Sequence, residues 1–203
     1  MTGPARLLYD TYYHIYNRGT NRENIFVQER NYYHFLKLYT KYIAPITETY
    51  AYCLLKNHFH LLVRIKSVQE IFAENQPTGD RLEQYPSRKF SDFFYAYSKA
   101  INAAYGRTGS LFQHPFGRVL VTGERQFWNT LVYIHHNPQK HKFVQDFRDW
   151  KWSSYGLIQP KKHAVQSHGP ALGWYGGAQP YQELHSHWMS AAESAWLGED
   201  ADE

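Results

Sequence analysis

Residues 51–65 read Ala-Tyr-Cys-Leu-Leu-Lys-Asn-His-Phe-His-Leu-Leu-Val-Arg-Ile, an apolar run broken in its middle by Lys56-Asn57. That break constrains the fold more than any other feature. Residues 49–56 and 58–65 are each of strand length and strand composition, and a tight turn at Lys56-Asn57 predicts that they pair as an antiparallel hairpin. Side chains of a strand alternate between its two faces. His58 and His60 therefore share one face, while Phe59, Leu61 and Val63 are left for a core on the other. Two imidazoles one strand step apart on a rigid element form a two-point claw suited to a metal ion.

The remaining elements follow from their periods. Residues 12–17 read as a strand ending in the turn signal Arg18-Gly19-Thr20-Asn21. In residues 29–43, Phe35, Leu38, Tyr39 and Tyr42 recur at helical spacing, and Pro45 closes the segment. A polar stretch with Pro and Gly at 74–88 reads as a loop. The segment 89–105 is helical again, with Phe90, Phe93, Phe94, Tyr97, Ile101 and Tyr105 along one side and Gly106 placed to end it. Residues 117–122 form a short strand, and a last helix begins near Glu124, carrying Phe127, Leu131 and Val132. The order β-α-β-β-α-β-α is the split β-α-β arrangement of ferredoxin-like folds. It predicts an α+β domain with a four-stranded, mainly antiparallel sheet covered by helices. The predicted division is a folded body over 1–158 and a tail over 159–203.

Charge separates the same two parts. Residues 160–203 hold Lys161 and Lys162 against six acidic side chains, leaving 20 basic and 12 acidic residues in the body, a net of +8. A basic body points to a polyanionic partner rather than a small-molecule substrate. No run approaches the ~18 apolar residues of a membrane span. The single cysteine, Cys53, has no partner for an internal disulfide, which suits the reducing cytoplasm.

The final helix ends in Tyr133-Ile134-His135-His136-Asn137-Pro138. On a continuous helix Tyr133 and Asn137 lie one turn apart on the same face. Pro138 opens a second possibility, because it disfavours helical geometry at Asn137 and would be at home as the first residue of a new helix capped by Asn137. A capping carboxamide oxygen is not available to a metal. The sequence leaves both uses open.

The His-hydrophobic-His in Lys56-Asn57-His58-Phe59-His60-Leu61-Leu62-Val63, followed by Tyr133-Ile134-His135-His136-Asn137-Pro138, resembles the single-tyrosine HUH transposases, and within them the REP-associated tyrosine transposases. Further matches run in order along residues 10–157: His14-Ile15-Tyr16-Asn17-Arg18-Gly19, Ile25-Phe26, Gly109-Ser110-Leu111-Phe112-Gln113 and Trp152-Ser153-Ser154-Tyr155. The resemblance implies a ferredoxin-like HUH fold, cleavage and joining of single-stranded DNA, and a divalent ion, Mg2+ or Mn2+. It places His58 and His60 as the metal pair, Tyr133 as the nucleophile and Asn137 as the third ligand, with His135, His136 and His141 as neighbouring alternatives. The stretch after Pro138 departs from the small aliphatic run usual in the family, reading Gln139-Lys140-His141-Lys142 and adding charge near the site.

For the DNA, Arg18 is the first candidate contact, with Arg118, Lys140 and Lys142 beside the expected site. The implied substrate is a hairpin with a flanking single strand, and the implied active form is a monomer completing its site in cis. Two rival functions share the same residues: a hairpin-binding regulatory module without catalysis, and a nuclease that uses water. A second His-x-His, His185-Ser186-His187, lies in the tail with His163 and His168. It lacks an apolar strand context and reads as a solvent-facing or packing segment.

Overall fold

The computed structural model of the chain describes residues 6–73, 77–158 and 178–186. Its elements are β1 (Thr11–Arg18), α1 (Glu29–Tyr42), β2 (Thr47–Leu54), β3 (His58–Ile65), a short α2 (Val68–Phe72), α3 (Asp80–Tyr105), β4 (Gly117–Val121), α4 (Glu124–Lys140) and α5 (Ala178–Ser186). The strands form one sheet in the order β2-β3-β1-β4, and every neighbouring pair is antiparallel. This is the ferredoxin-like α+β arrangement read from the element order.

The alternation of side chains divides the core into two. Ile15, Phe59, Leu61, Val63 and Ile65 pack on one face of the sheet with Phe35 of α1 and Phe90, Phe93, Phe94 and Tyr97 of α3. Ala51, Cys53 and Leu62 pack on the other face with Phe127, Leu131, Tyr133 and Ile134 of α4. The outer edge of β2 is covered by residues 152–154. Leu54 N–H donates to Trp152 O at 2.9 Å, and Tyr52 N–H donates to Ser154 Oγ at 2.8 Å. Trp152 itself stacks on Tyr32, with ring centroids 4.4 Å apart.

The expected loop at 74–88 is helical from Asp80 onward, so α3 begins nine residues earlier than the pattern suggested. Residues 74–76 lie outside the described residues. Pro86 sits within this helix and lacks the N–H that would satisfy Leu82 O. The Tyr9 hydroxyl donates to that carbonyl instead, at 2.7 Å. A donor from a distant part of the chain thus makes the proline tolerable. Gly106 ends the helix in the left-handed conformation, φ 62°, as its position implied.

Of the tail, 159–177 and 187–203, with His163, His168 and His187, lie outside the described residues. Helix α5 belongs to the same segment, and its Tyr181 and His185 are buried beside α4. His185 is therefore a packing residue, one of the two outcomes expected for it.

Candidate active site

β1 and β3 pair with Arg18 opposite His58 and Tyr16 opposite His60. Partners directly opposite share a face, so His14, Tyr16 and Arg18 line up beside His58 and His60 on the side that α4 covers. The two claw histidines are nearly fully buried, and their ring centroids stand 5.1 Å apart at 88°.

Helix α4 is continuous through Asn137 and Pro138 to Lys140, which decides between the two uses of Asn137. It caps nothing. Its Nδ2 donates to Tyr133 O at 3.3 Å, one turn back, and its Oδ1 is buried with no hydrogen-bond partner among the described residues. An orphaned amide oxygen in a buried site is costly unless something of opposite character completes it. Tyr133, one turn earlier, places its ring 5.6 Å from that of His60 and 5.9 Å from that of His14, edge-on in both cases. Lys140 Nζ lies 5.0 Å from the centre of the Tyr133 ring.

The donor set fits a divalent ion. Asn57 Oδ1 can only accept, so at 2.7 Å it fixes a proton of His58 on Nδ1, and Nε2 is the nitrogen whose lone pair could meet a cation. Burial, followed by the neighbouring His14, His58, His141 and Lys140, holds the His60 imidazole far below its usual pKa and therefore neutral, as a ligand must be. Among the described residues no three His, Cys, Asp or Glu side chains are arranged to hold a metal. His58, His60 and the Asn137 amide oxygen, one helical turn from Tyr133, are the candidate donors, and a hard ion accepts such an oxygen.

The other candidates separate cleanly. His141 comes to the site, its ring 4.9 Å from that of His58. His135 and His136 point away from it. His135 meets Ser154 Oγ and His185, while His136 stacks on Phe147 and bonds to His185 O. Arg18 is at the site by register, and Lys142 is exposed just beyond α4. Arg118 lies opposite Ile15, on the other face of the sheet, with its guanidinium 3.8 Å from the centre of the Phe116 ring. It is therefore not beside the site.

Besides Asn57, His14 and Tyr16 stand at the site without having been among the predicted functional side chains. His14 is fully buried and its Nε2 is 3.0 Å from His60 Nδ1. The Tyr16 ring lies 5.1 Å from that of His14 and 6.0 Å from that of His60. The same period of two that paired His58 with His60 puts His14, Tyr16 and Arg18 on one face of β1, and that signal was present in residues 12–17.

A REP-associated tyrosine transposase, described as putative, from Haemophilus influenzae is 29% identical over 108 residues, which are 53% of this chain and 58% of that protein. A solved REP-associated tyrosine transposase bound to a REP hairpin superimposes with a TM-score of 0.58 at 17% identity, covering 83% of this chain and 96% of that one. The chain resembles the REP-associated tyrosine transposases. No family model matches it. The likeness to the solved structure is one of fold, and the chain spans a little over half the length of the Haemophilus relative. Among the described residues no helix is long and apolar enough to cross a membrane.

Proposed function

We propose that this chain is a transposase-type enzyme that nicks and rejoins single-stranded DNA beside a hairpin, with Tyr133 as nucleophile. His58, His60 and Asn137 would hold one Mg2+ or Mn2+ ion. The observation that carries the reading is the convergence of Tyr133 on His60, with their rings 5.6 Å apart, on elements of a single chain. It also supports a site completed in cis, as in a monomer.

Tyr133 Oη gives up its proton and attacks the scissile phosphorus, the bond to the 3′-oxygen breaks, and that oxygen leaves as a hydroxyl after taking up a proton in exchange. The 5′ end stays on the enzyme as a phosphotyrosine. Attack by a 3′-hydroxyl on that ester reverses the step, so strands are joined without an external energy source. A free tyrosine hydroxyl ionises near pH 10 and is a weak nucleophile at neutral pH. The Lys140 ammonium, 5.0 Å from the centre of the Tyr133 ring, puts a positive charge beside the nucleophile, where it attracts the phosphate. When bound, a divalent ion draws charge from the non-bridging phosphate oxygens and orients the phosphate for in-line attack.

Arg18, next to His58, supplies a phosphate contact at the scissile position, and Lys142 one farther along the strand. The hairpin as substrate rests on the relative solved with one. A cytoplasmic setting rests on Cys53, a buried free thiol. The body over 1–158 is the catalytic unit in this reading, and the rest is an appendage.

Labelled hairpin DNA with a single-stranded flank, incubated with Mn2+, is expected to yield a covalent adduct that Tyr133→Phe abolishes. Undiminished adduct in that variant removes Tyr133 from its role. Cleavage without adduct would instead indicate attack by water, and binding without cleavage a regulatory module.

A further inference from the structure

We propose that His14 is a positioning residue for His60, holding it in the tautomer that keeps its proton on Nδ1 and its lone pair on Nε2. The inference rests on the metal reading above and deepens it by naming what prepares one of the two imidazole ligands.

A neutral imidazole has one N–H and one lone pair. Where two of them meet nitrogen to nitrogen, as His14 Nε2 and His60 Nδ1 do at 3.0 Å, one must donate and the other accept. The contact therefore has two settings. In the first, His60 donates from Nδ1, and its Nε2 has the lone pair that a cation needs. In the second, His14 donates and the proton of His60 sits on Nε2, where it blocks ligation. Both side chains are essentially fully buried, so water is a poor substitute partner for either nitrogen.

The surroundings hold His14 in place for this task. The Tyr16 ring tilts against it at 5.1 Å, and the Tyr133 ring meets it edge-on at 5.9 Å. Tyr16 in turn lies against Gly117, where a Cβ would come within 2.2 Å of its ring, so β4 backs the whole tier. His58 is held in the same way by a different device. Its Nδ1 faces the Asn57 carboxamide oxygen, which has only one possible role. His14 differs from Asn57 in being able to take either role, so occupation of the site and the tautomer of His14 are linked. A cation on His60 Nε2 selects the setting in which His14 Nε2 accepts, and the proton of His14 then resides on its Nδ1.

Outer partners of metal-bound histidines typically contribute 10- to 100-fold to metal affinity. The test is a titration of the full chain with Mn2+ alone, without DNA, for wild type, His14→Phe, His14→Gln and His58→Ala, with thermal melting of each. His14→Phe keeps the ring shape and removes the acceptor, and is expected to weaken Mn2+ binding by about 10- to 100-fold. His14→Gln, whose carboxamide oxygen accepts from His60 Nδ1–H, is expected to bind within a few-fold of wild type. Imidazole 15N spectra of the wild-type chain loaded with Mg2+ read the tautomer directly and need no variant, so they decide the matter even if His14→Phe does not fold. They are expected to show His60 protonated on Nδ1 and His14 moved to its Nδ1–H form. Unchanged Mn2+ affinity in a folded His14→Phe, or a His60 proton on Nε2 in the loaded chain, overturns the inference while leaving the metal site intact. Wild-type Mn2+ binding that is absent, or indifferent to His58→Ala, overturns the metal reading and this inference with it.

Discussion

Lowering the pH from 8 to 4.5 is expected to release α5 from the back of α4 before the rest of the domain unfolds. The polar chain between them has a fixed direction. Tyr181 O can only accept, so His185 Nδ1 donates to it at 2.7 Å and His185 Nε2 is left with the lone pair. His135 Nδ1 must then donate to His185 Nε2 at 2.8 Å, and His135 Nε2 must accept from Ser154 Oγ at 2.7 Å. Ser154 Oγ accepts in its turn from Tyr52 N–H at 2.8 Å. Each ring is neutral in this arrangement, and a proton added to His185 Nε2 would face the N–H of His135.

Burial lowers the His185 pKa to about 4, against a weaker raising effect of its bond to Tyr181 O and with a small further lowering from His136. The other groups facing it from α4 are His135 and His136, both also held below their usual value, chiefly by burial. The undocked ring titrates near 6.5, so the docked form binds fewer protons and docking weakens as pH falls. Docking is at full strength above about pH 6.5 and declines through the window down to about pH 4. From His185 alone the docking constant drops roughly 30-fold at pH 5, about 2 kcal/mol, since each tenfold change in an equilibrium constant corresponds to ~1.4 kcal/mol. A helix of nine residues is marginal by itself, so undocking is expected to melt it. Hydrogen exchange of the backbone amides of 181–186, followed against pH, measures the effect. Protection that stays constant from pH 8 to 4.5, with the sheet intact, refutes the neutral relay.

Two further outcomes bear on the same architecture. Gly117→Ala is expected to destabilise the protein by about 1–3 kcal/mol in urea denaturation through overpacking against the Tyr16 ring, and to cost little in a Tyr16→Ala background; additive effects would mean that the ring moves aside freely. Phe35→Ala, at a fully buried side chain ringed by Phe26, Phe59, Phe93 and Tyr97, is expected to cost about 3–5 kcal/mol by the same measurement, and a loss below about 1 kcal/mol would contradict the packing described.

What could be read from the sequence was whatever depends on local period. The hairpin, the shared face of His58 and His60, and the buried face of α3 at Phe90, Phe93, Phe94, Tyr97 and Ile101 are all consequences of spacing, and the structure has them. What could not be read depends on partners distant in the chain. The early start of α3 required Tyr9 to serve the carbonyl that Pro86 leaves open. The choice among His135, His136 and His141 depended on which sides of α4 the sheet, the segment around Phe147 and α5 occupy, and three histidines so close in sequence carry no sign of that. Arg118 is expected beside the site from sequence, yet a single step along β4 moves a side chain to the opposite face.

Asn137 shows how the two kinds of information combine. Local sequence permitted either a cap or a ligand, because Pro138 is compatible with both a new helix and a tolerated interior proline. The structure continues α4 through that proline and directs the amide nitrogen to Tyr133 O, so the carboxamide cannot turn to cap a helix start without losing that bond. Its oxygen is then buried, orphaned among the described residues, and one helical turn from the tyrosine that faces His60. An unsatisfied buried acceptor is a burden on stability in any fold that has no use for it. In the proposed metal site it is the oxygen that would join the His58 and His60 imidazoles on the cation. On that proposal the feature that weakens the folded chain also serves the ion, and Asn137→Leu is expected to raise the melting temperature while weakening Mn2+ binding at least tenfold by titration. A variant that gains stability and keeps wild-type Mn2+ affinity would separate the two, and would leave Asn137 without a role at the site.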